Sequence, residues 1–350
     1  MYDWLRRLIS GPTTLSTPAR AATVVTSAEP TAIARHDDLG VSWLTRSEVT
    51  ADFNRWVFET DTAAGLFITP IEQKVLDAIE AIVQSGQSGA NLVRRMPGLI
   101  PQLLQSLRSD DFSGAELARK ISSDVVLVAA VVRLANSVYY STVQSITSIE
   151  HAVLVLGQNG LRQLISGVAF KPIIGPNSGH FTRQIAPRLW QQAELCALAN
   201  RLLAEGEGID PFEAFLAGLI QNVGLIAALR VIEQIAEDGA SLGSESFCNA
   251  LIDHARKLSC SIAREWQFSA AIVAAVEQQA HQHHPAQMAP LARVLSNGDF
   301  LSKAELLSAH GLLGNVTLES LAPRGEECLR NLRLLAPNEA ESNPESSLGS

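Results

Sequence analysis

Apolar residues recur at helical spacing along most of the chain. Within Pro70–Gln84, the residues Ile71, Val75, Leu76, Ile79 and Ile82 fall on one face of a 3.6-residue period, which predicts an amphipathic helix. Upstream, Trp43, Leu44, Phe53, Trp56, Val57 and Phe58 supply large apolar groups, so order is expected to begin near Val41. From Leu92 to about Leu313 the pattern predicts helix after helix, with start signals that can be named. Asp210-Pro211-Phe212-Glu213 places a capping carboxylate, a proline where no amide hydrogen is needed, and a second carboxylate three residues past the cap. Thr147-Ser148-Ile149-Glu150 repeats the signal for a helix that Gly157 closes. Asp124 caps Val125 to Asn136, whose apolar residues run almost all the way round and predict a helix buried on most sides. Its valines alone would suit a strand, but Leu127, Val131, Leu134 and Ala135 keep the helical period and no alternating partner lies nearby.

The polar intervals divide this pattern. Residues 1–40 form an expected flexible leader, rich in Thr, Ala, Ser and Pro, whose apolar opening turn is stopped by Gly11-Pro12. Residues 41–90 form an N-terminal helical segment, closed by Gly86 to Gly89 and expected to pack on the main domain. The main domain spans 91–313. Residues 314–350 form a C-terminal segment whose acidic tail, with Glu339, Glu341 and Glu345, is expected to be disordered. The fold class that follows is all-α.

Composition narrows the function classes. A hydrophobic share of 47% over 350 residues is enough to bury a substantial core. The net charge of -9 disfavours direct binding of nucleic acid, and no helix-turn-helix with a basic recognition face is present. Cys196, Cys248, Cys260 and Cys328 lie far apart with no CxxC pair, which points to small buried hydrophobes rather than a zinc knuckle or a disulfide framework. The Val125 to Val132 run is too short to span a bilayer and Gln221-Asn222 interrupts the other candidate, so no stable membrane insertion and a cytoplasmic setting are expected.

A set of motifs then carries a resemblance. Met96-Pro97-Gly98-Leu99-Ile100-Pro101 is followed by Glu116-Leu117-Ala118 with Ile121 and Asp124, and by Arg133-Leu134-Ala135-Asn136-Ser137 with Tyr139-Tyr140. Ile146 to Ile149 with Ala152, Leu156-Gly157 and Leu161-Arg162 come next, and Glu213-Ala214-Phe215-Leu216-Ala217-Gly218-Leu219-Ile220 later. In order and spacing these resemble the HDOD family, bacterial signalling domains related to HD-type metal phosphohydrolases. The resemblance implies an HD-like multi-helix bundle, here with the additional N-terminal helical segment, and protein partners in a bacterial signalling pathway. Taken as residues alone, Asn136-Ser137 can cap the end of a buried helix through side-chain hydrogen bonds.

Where the related hydrolases hold metal, this sequence has exchanged the ligands. The signature His-Asp pair reads Gln221-Asn222, Gln192 stands where a histidine is expected, and the usual consecutive histidines fall at Gln279-Ala280. Only His254 and Asp299 keep a ligand type. Neutral amides are weak ligands for zinc, iron or manganese and do not offset the charge of a dication. Gln192, Gln221, Asn222, His254 and Asp299 are therefore expected to hydrogen-bond one another, with His254 a partner for Asp299, and together with Gln279 they are the candidate ligand-pocket residues. No cofactor is expected. His281, His283 and His284 keep an alternative open: a register shift returns an imidazole to the pocket, whereas Gln282, Pro285 and Gln287 read as a solvated helix end. The function expected is a non-catalytic regulatory module, acting through protein contact and a small ligand in the former active-site cleft. The alternative is a residual metal-dependent phosphohydrolase acting on a nucleotide or cyclic dinucleotide.

Overall fold

The computed structural model describes residues 38–59, 66–85, 179–236, 242–279, 287–313 and 321–335, with isolated positions between 132 and 167. The leader before residue 38, the linker after Gly86, most of the motif-bearing stretch 92–178, the acidic tail, and His281, His283 and His284 lie outside the described residues. The described elements are helical throughout, so the all-α class holds.

Local chemistry explains where the helices start. In α1 (Trp43–Phe58) the Ser42 hydroxyl accepts from Thr45 N–H, and the helix ends at Glu59 in the left-handed region (φ 51°). Val49, Phe53 and Val57, spaced by four, form its buried stripe. In α2 (Pro70–Gln84) Thr69 and Glu72 form a reciprocal capping box around Pro70. The long α3 (His180–Ala204) precedes α4 (Pro211–Ile220), which begins on the predicted signal: Asp210 accepts from Phe212 N–H. A break at Gln221-Asn222 separates α4 from α5 (Val223–Ile235). Then come α6 (Glu245–Glu265), α7 (Ala270–Gln278), α8 (Pro290–Ala309) and α9 (Pro323–Leu335).

Helix α3 is the spine: α4, α5, α8 and α9 pack on it. Helix α6 joins α5, α7 and α2, while α1 lies against α8 and α3. Glycines set the closest crossings. A Cβ on Gly218 would stand 2.5 Å from the Ala197 Cα, and one on Gly298 would stand 2.0 Å from the Asn200 side-chain oxygen. Pro211–Ile235 is 25 residues long and contains an 18-residue window of mean hydropathy 1.8, enough to cross a bilayer, but 89% of that window is buried inside the protein. The continuous apolar surface of α4 and α5 is thus core.

Polar contacts fix α1 to the body. Arg46 donates to the Ser296 carbonyl (3.1 Å) and to Asn297 Oδ1 (2.6 Å), with its guanidinium 4.9 Å from the Phe300 ring centroid. At the other end, Arg188 donates to the carbonyls of Trp56 and Val57 and pairs with Glu59. Helix α9, unspecified within the C-terminal segment on sequence alone, buries Cys328, Leu329 and Leu332. Its Arg324 shares Glu207 with Arg293. Hydrogen bonds from Arg324 first, then Arg293, outweigh partial burial and hold the Glu207 carboxyl below its ordinary value. Asn136 donates to the carbonyls of Val132 and Ile146 and accepts from Ile146 N–H, so it joins the end of one helical turn to the segment ten residues on.

Candidate functional site

The break between α4 and α5 presents Gln221 and Asn222 to Gln192 on α3 and Asp299 on α8. Gln192 is fully buried; its Nε2 donates to Asp299 Oδ1 (3.0 Å) and Ser302 Oγ (3.0 Å), and its Oε1 accepts from Asn222 Nδ2. Gln221 Nε2 donates to Asp299 Oδ1 (3.3 Å) and to Cys196 Sγ (3.0 Å). The other Asp299 oxygen, Oδ2, accepts from Lys303 Nζ at 2.6 Å, and Ser302 Oγ donates to the Asp299 carbonyl. The carboxylate has only acceptor capacity, so the two glutamines can serve it only by turning their N–H groups inward.

Packing around the cluster is fixed from below. Ser259 on α6 donates to the Gln221 carbonyl and accepts from Gly224 N–H, which binds both sides of the break to α6. Gly224 has no room for a side chain: a Cβ there would stand 2.0 Å from the Ala255 carbonyl oxygen. Burial pushes the Cys196 thiol well above its ordinary value, with the Asp299 charge adding to the effect. Burial also raises Cys248 and Cys328 to about 12 and Cys260 to about 11. All four thiols are free, buried and unsuited to nucleophilic work.

Two expected members behave differently. Gln279 lines the cleft but spends its amide on the carbonyls of Ala275 and Ala292, both at 2.9 Å. His254 corrects the expectation of a partnership with Asp299: among the described residues no hydrogen bond joins them, and its buried Nδ1 has no partner. The reason is helical phase. Ala255, the next residue of α6, faces the cleft, and a step of one residue turns a side chain by about 100°. Two contributors were not read from the sequence. Lys303 was signalled only by its i,i+4 spacing from Asp299, and the α1 residues Phe53, Asn54, Val57 and Phe58 form the cleft's outer wall. The space left among these side chains is about 40 Å³, room for a few waters.

These residues do not fit the divalent cation that the related hydrolases hold. The amides direct donors at the retained carboxylate, an ammonium covers its second oxygen, and no group of three His, Cys, Asp or Glu converges among the described residues.

A model of the HDOD domain matches residues 93–285, more than half of the chain. The chain belongs to the HDOD family. Among solved structures, it is similar to an HDOD domain protein of unknown function from Geobacter sulfurreducens, at 22% identity, TM-score 0.48, and coverage of 74% of this chain and 89% of that one. A Shewanella amazonensis SB2B protein provisionally named a phosphohydrolase is similar at 22% identity and TM-score 0.48, with coverage of 74% and 98%. A Treponema pallidum (strain Nichols) protein is 22% identical over 175 residues, 49% of this chain and 33% of that one, so the chain spans about a third of that curated relative. The matched HDOD stretch supplies Gln192, Gln221, Asn222 and Gln279. Asp299, Lys303 and the α1 wall come from outside it.

Proposed function

We propose that this HDOD protein is a non-catalytic regulatory module that acts through protein contact in a bacterial, cytoplasmic signalling pathway. The observation that carries this reading is the engagement of both Asp299 oxygens by Lys303, Gln192 and Gln221. The one anionic group of the cluster is engaged on both oxygens by internal donors, which compete with any metal or water that it would have to orient for attack on phosphorus. Burial of every cysteine thiol leaves no activated sulfur nucleophile in its stead. The small cleft, lined on one side by the α1 residues Phe53, Asn54, Val57 and Phe58, supports protein contact over a nucleotide-sized ligand.

Hydrolysis assays test the reading. With manganese, iron or zinc supplied, the full chain is expected to turn over nucleotides, cyclic dinucleotides and simple phosphate esters no faster than its Asp299→Ala variant. Metal-dependent turnover that disappears in that variant would overturn the proposal and favour a residual phosphohydrolase.

A further inference from the structure

Asp299 keeps a metal-ligand type, yet the charge that faces it belongs to the protein. Lys303 follows one helical turn later on α8, so the two side chains share a face. The Lys303 side chain is only 10% exposed, and its Nζ lies 2.6 Å from Asp299 Oδ2 and 5.5 Å from the Phe53 ring centroid. An ammonium at that depth, against an aromatic face, is held by the carboxylate and by the ring quadrupole together. Charge balance favours it over a dication. Asp299 is the single acid of the cluster, so one ammonium brings the site to neutrality. A divalent ion would leave it positive, with amide hydrogens already pointing inward.

We propose that Lys303 is the built-in replacement for the metal: its ammonium occupies the cation's place at Asp299, neutralises the carboxylate, and keeps divalent ions out even when ligands are restored at positions 192, 221 and 222. A metal entering beside Nζ would meet a like charge within a side chain's width, and in a protein interior that repulsion is several times its value in water. The same ammonium ties the converted site to α1 through Phe53, a residue that precedes the matched HDOD stretch. The inference rests on the non-catalytic reading but is separable from it.

The test compares three full-length proteins titrated with manganese alone: the natural chain, the variant Gln192→His/Gln221→His/Asn222→Asp, and the same variant with Lys303→Met added. The first two are expected to take up no manganese, and the third to bind it. Equal binding with Lys303 in place overturns the proposal, and so does binding by neither variant while both remain folded. Because these variants alter a buried cluster, thermal unfolding of Asp299→Asn, Lys303→Met and the double variant gives a second measurement. Each single change is expected to lower the Tm by about 2–6 °C, and the double by clearly less than the sum of the two, because the partner left uncompensated is then gone. Strict additivity overturns the proposal. If the natural chain is inert and metal-free but the histidine variant binds manganese beside Lys303, the lysine's role fails while the non-catalytic reading stands. If the natural chain itself binds metal and hydrolyses phosphate esters, that reading fails.

Discussion

Replacing Glu72 by alanine is expected to lower stability by about 4 kcal/mol, because it leaves several buried donors without an acceptor, each worth about 1–3 kcal/mol. Glu72 is 1% exposed. Its carboxylate accepts from Thr69 N–H (2.7 Å), Gly243 N–H (2.8 Å), Ser244 N–H (2.8 Å) and Ser244 Oγ (2.8 Å). It therefore closes the capping box of α2 and at the same time fixes the N-cap of α6, whose Ser244 hydroxyl also accepts from Phe247 N–H. Two helix N-termini, both favourable for a negative charge, converge on one side chain. Burial works to raise this carboxyl's pKa, but the bonds from Thr69, Gly243 and Ser244 outweigh it and hold the value below the ordinary 4.5. The stabilisation is consequently complete above the unfolded-state value and is lost as pH falls through the lowered folded-state value. Urea unfolding of natural and Glu72→Ala protein checks both parts: the gap should be large at neutral pH and should shrink as the solution is acidified below about pH 4. A gap that stays constant with pH would show that the carboxylate charge is not what holds α2 to α6.

The second large effect is steric. Gly224→Ala is expected to destabilise the protein by about 3 kcal/mol or more, the upper end of what overpacking produces. The added Cβ would meet the Ala255 carbonyl oxygen at 2.0 Å and Ser259 N at 2.5 Å, both backbone atoms that no rotamer change can move. Helices α5 and α6 would have to separate. That separation would break the Ser259 bonds to the Gln221 carbonyl and Gly224 N–H, and with them the support of the cluster around Asp299. Thermal unfolding is the direct check. An unchanged Tm would mean the two helices are not held at this distance.

The sequence made the helices readable where local chemistry sets them, as at Asp210-Pro211 and the apolar face of Pro70–Gln84, because capping and periodicity act over a few residues. The convergence of Gln192 and Gln221 on Asp299, with Asn222 bonded to Gln192, was also legible. Amides in place of ligands must still satisfy one another in a buried setting. The role of Lys303 was not, since a lysine four residues after an aspartate on a helix reads as an exposed ion pair. Phe53 lies against its ammonium, and nothing local to either residue brings α1 over α8. His254 failed for a related reason: its type fits a ligand, but its side chain lies one step in helical phase from the cleft-facing Ala255. Residue type can be read along the chain, whereas which helix covers which face depends on packing across more than two hundred residues.

The central claim, that a metal centre has become a self-neutralised polar cluster, is tested most directly by metal analysis of the full chain purified without chelators. Mass spectrometry of the metals should find no stoichiometric iron, zinc or manganese. One or two equivalents per chain, lost on Asp299→Ala or on His281→Ala/His283→Ala/His284→Ala while the protein stays folded, would contradict it.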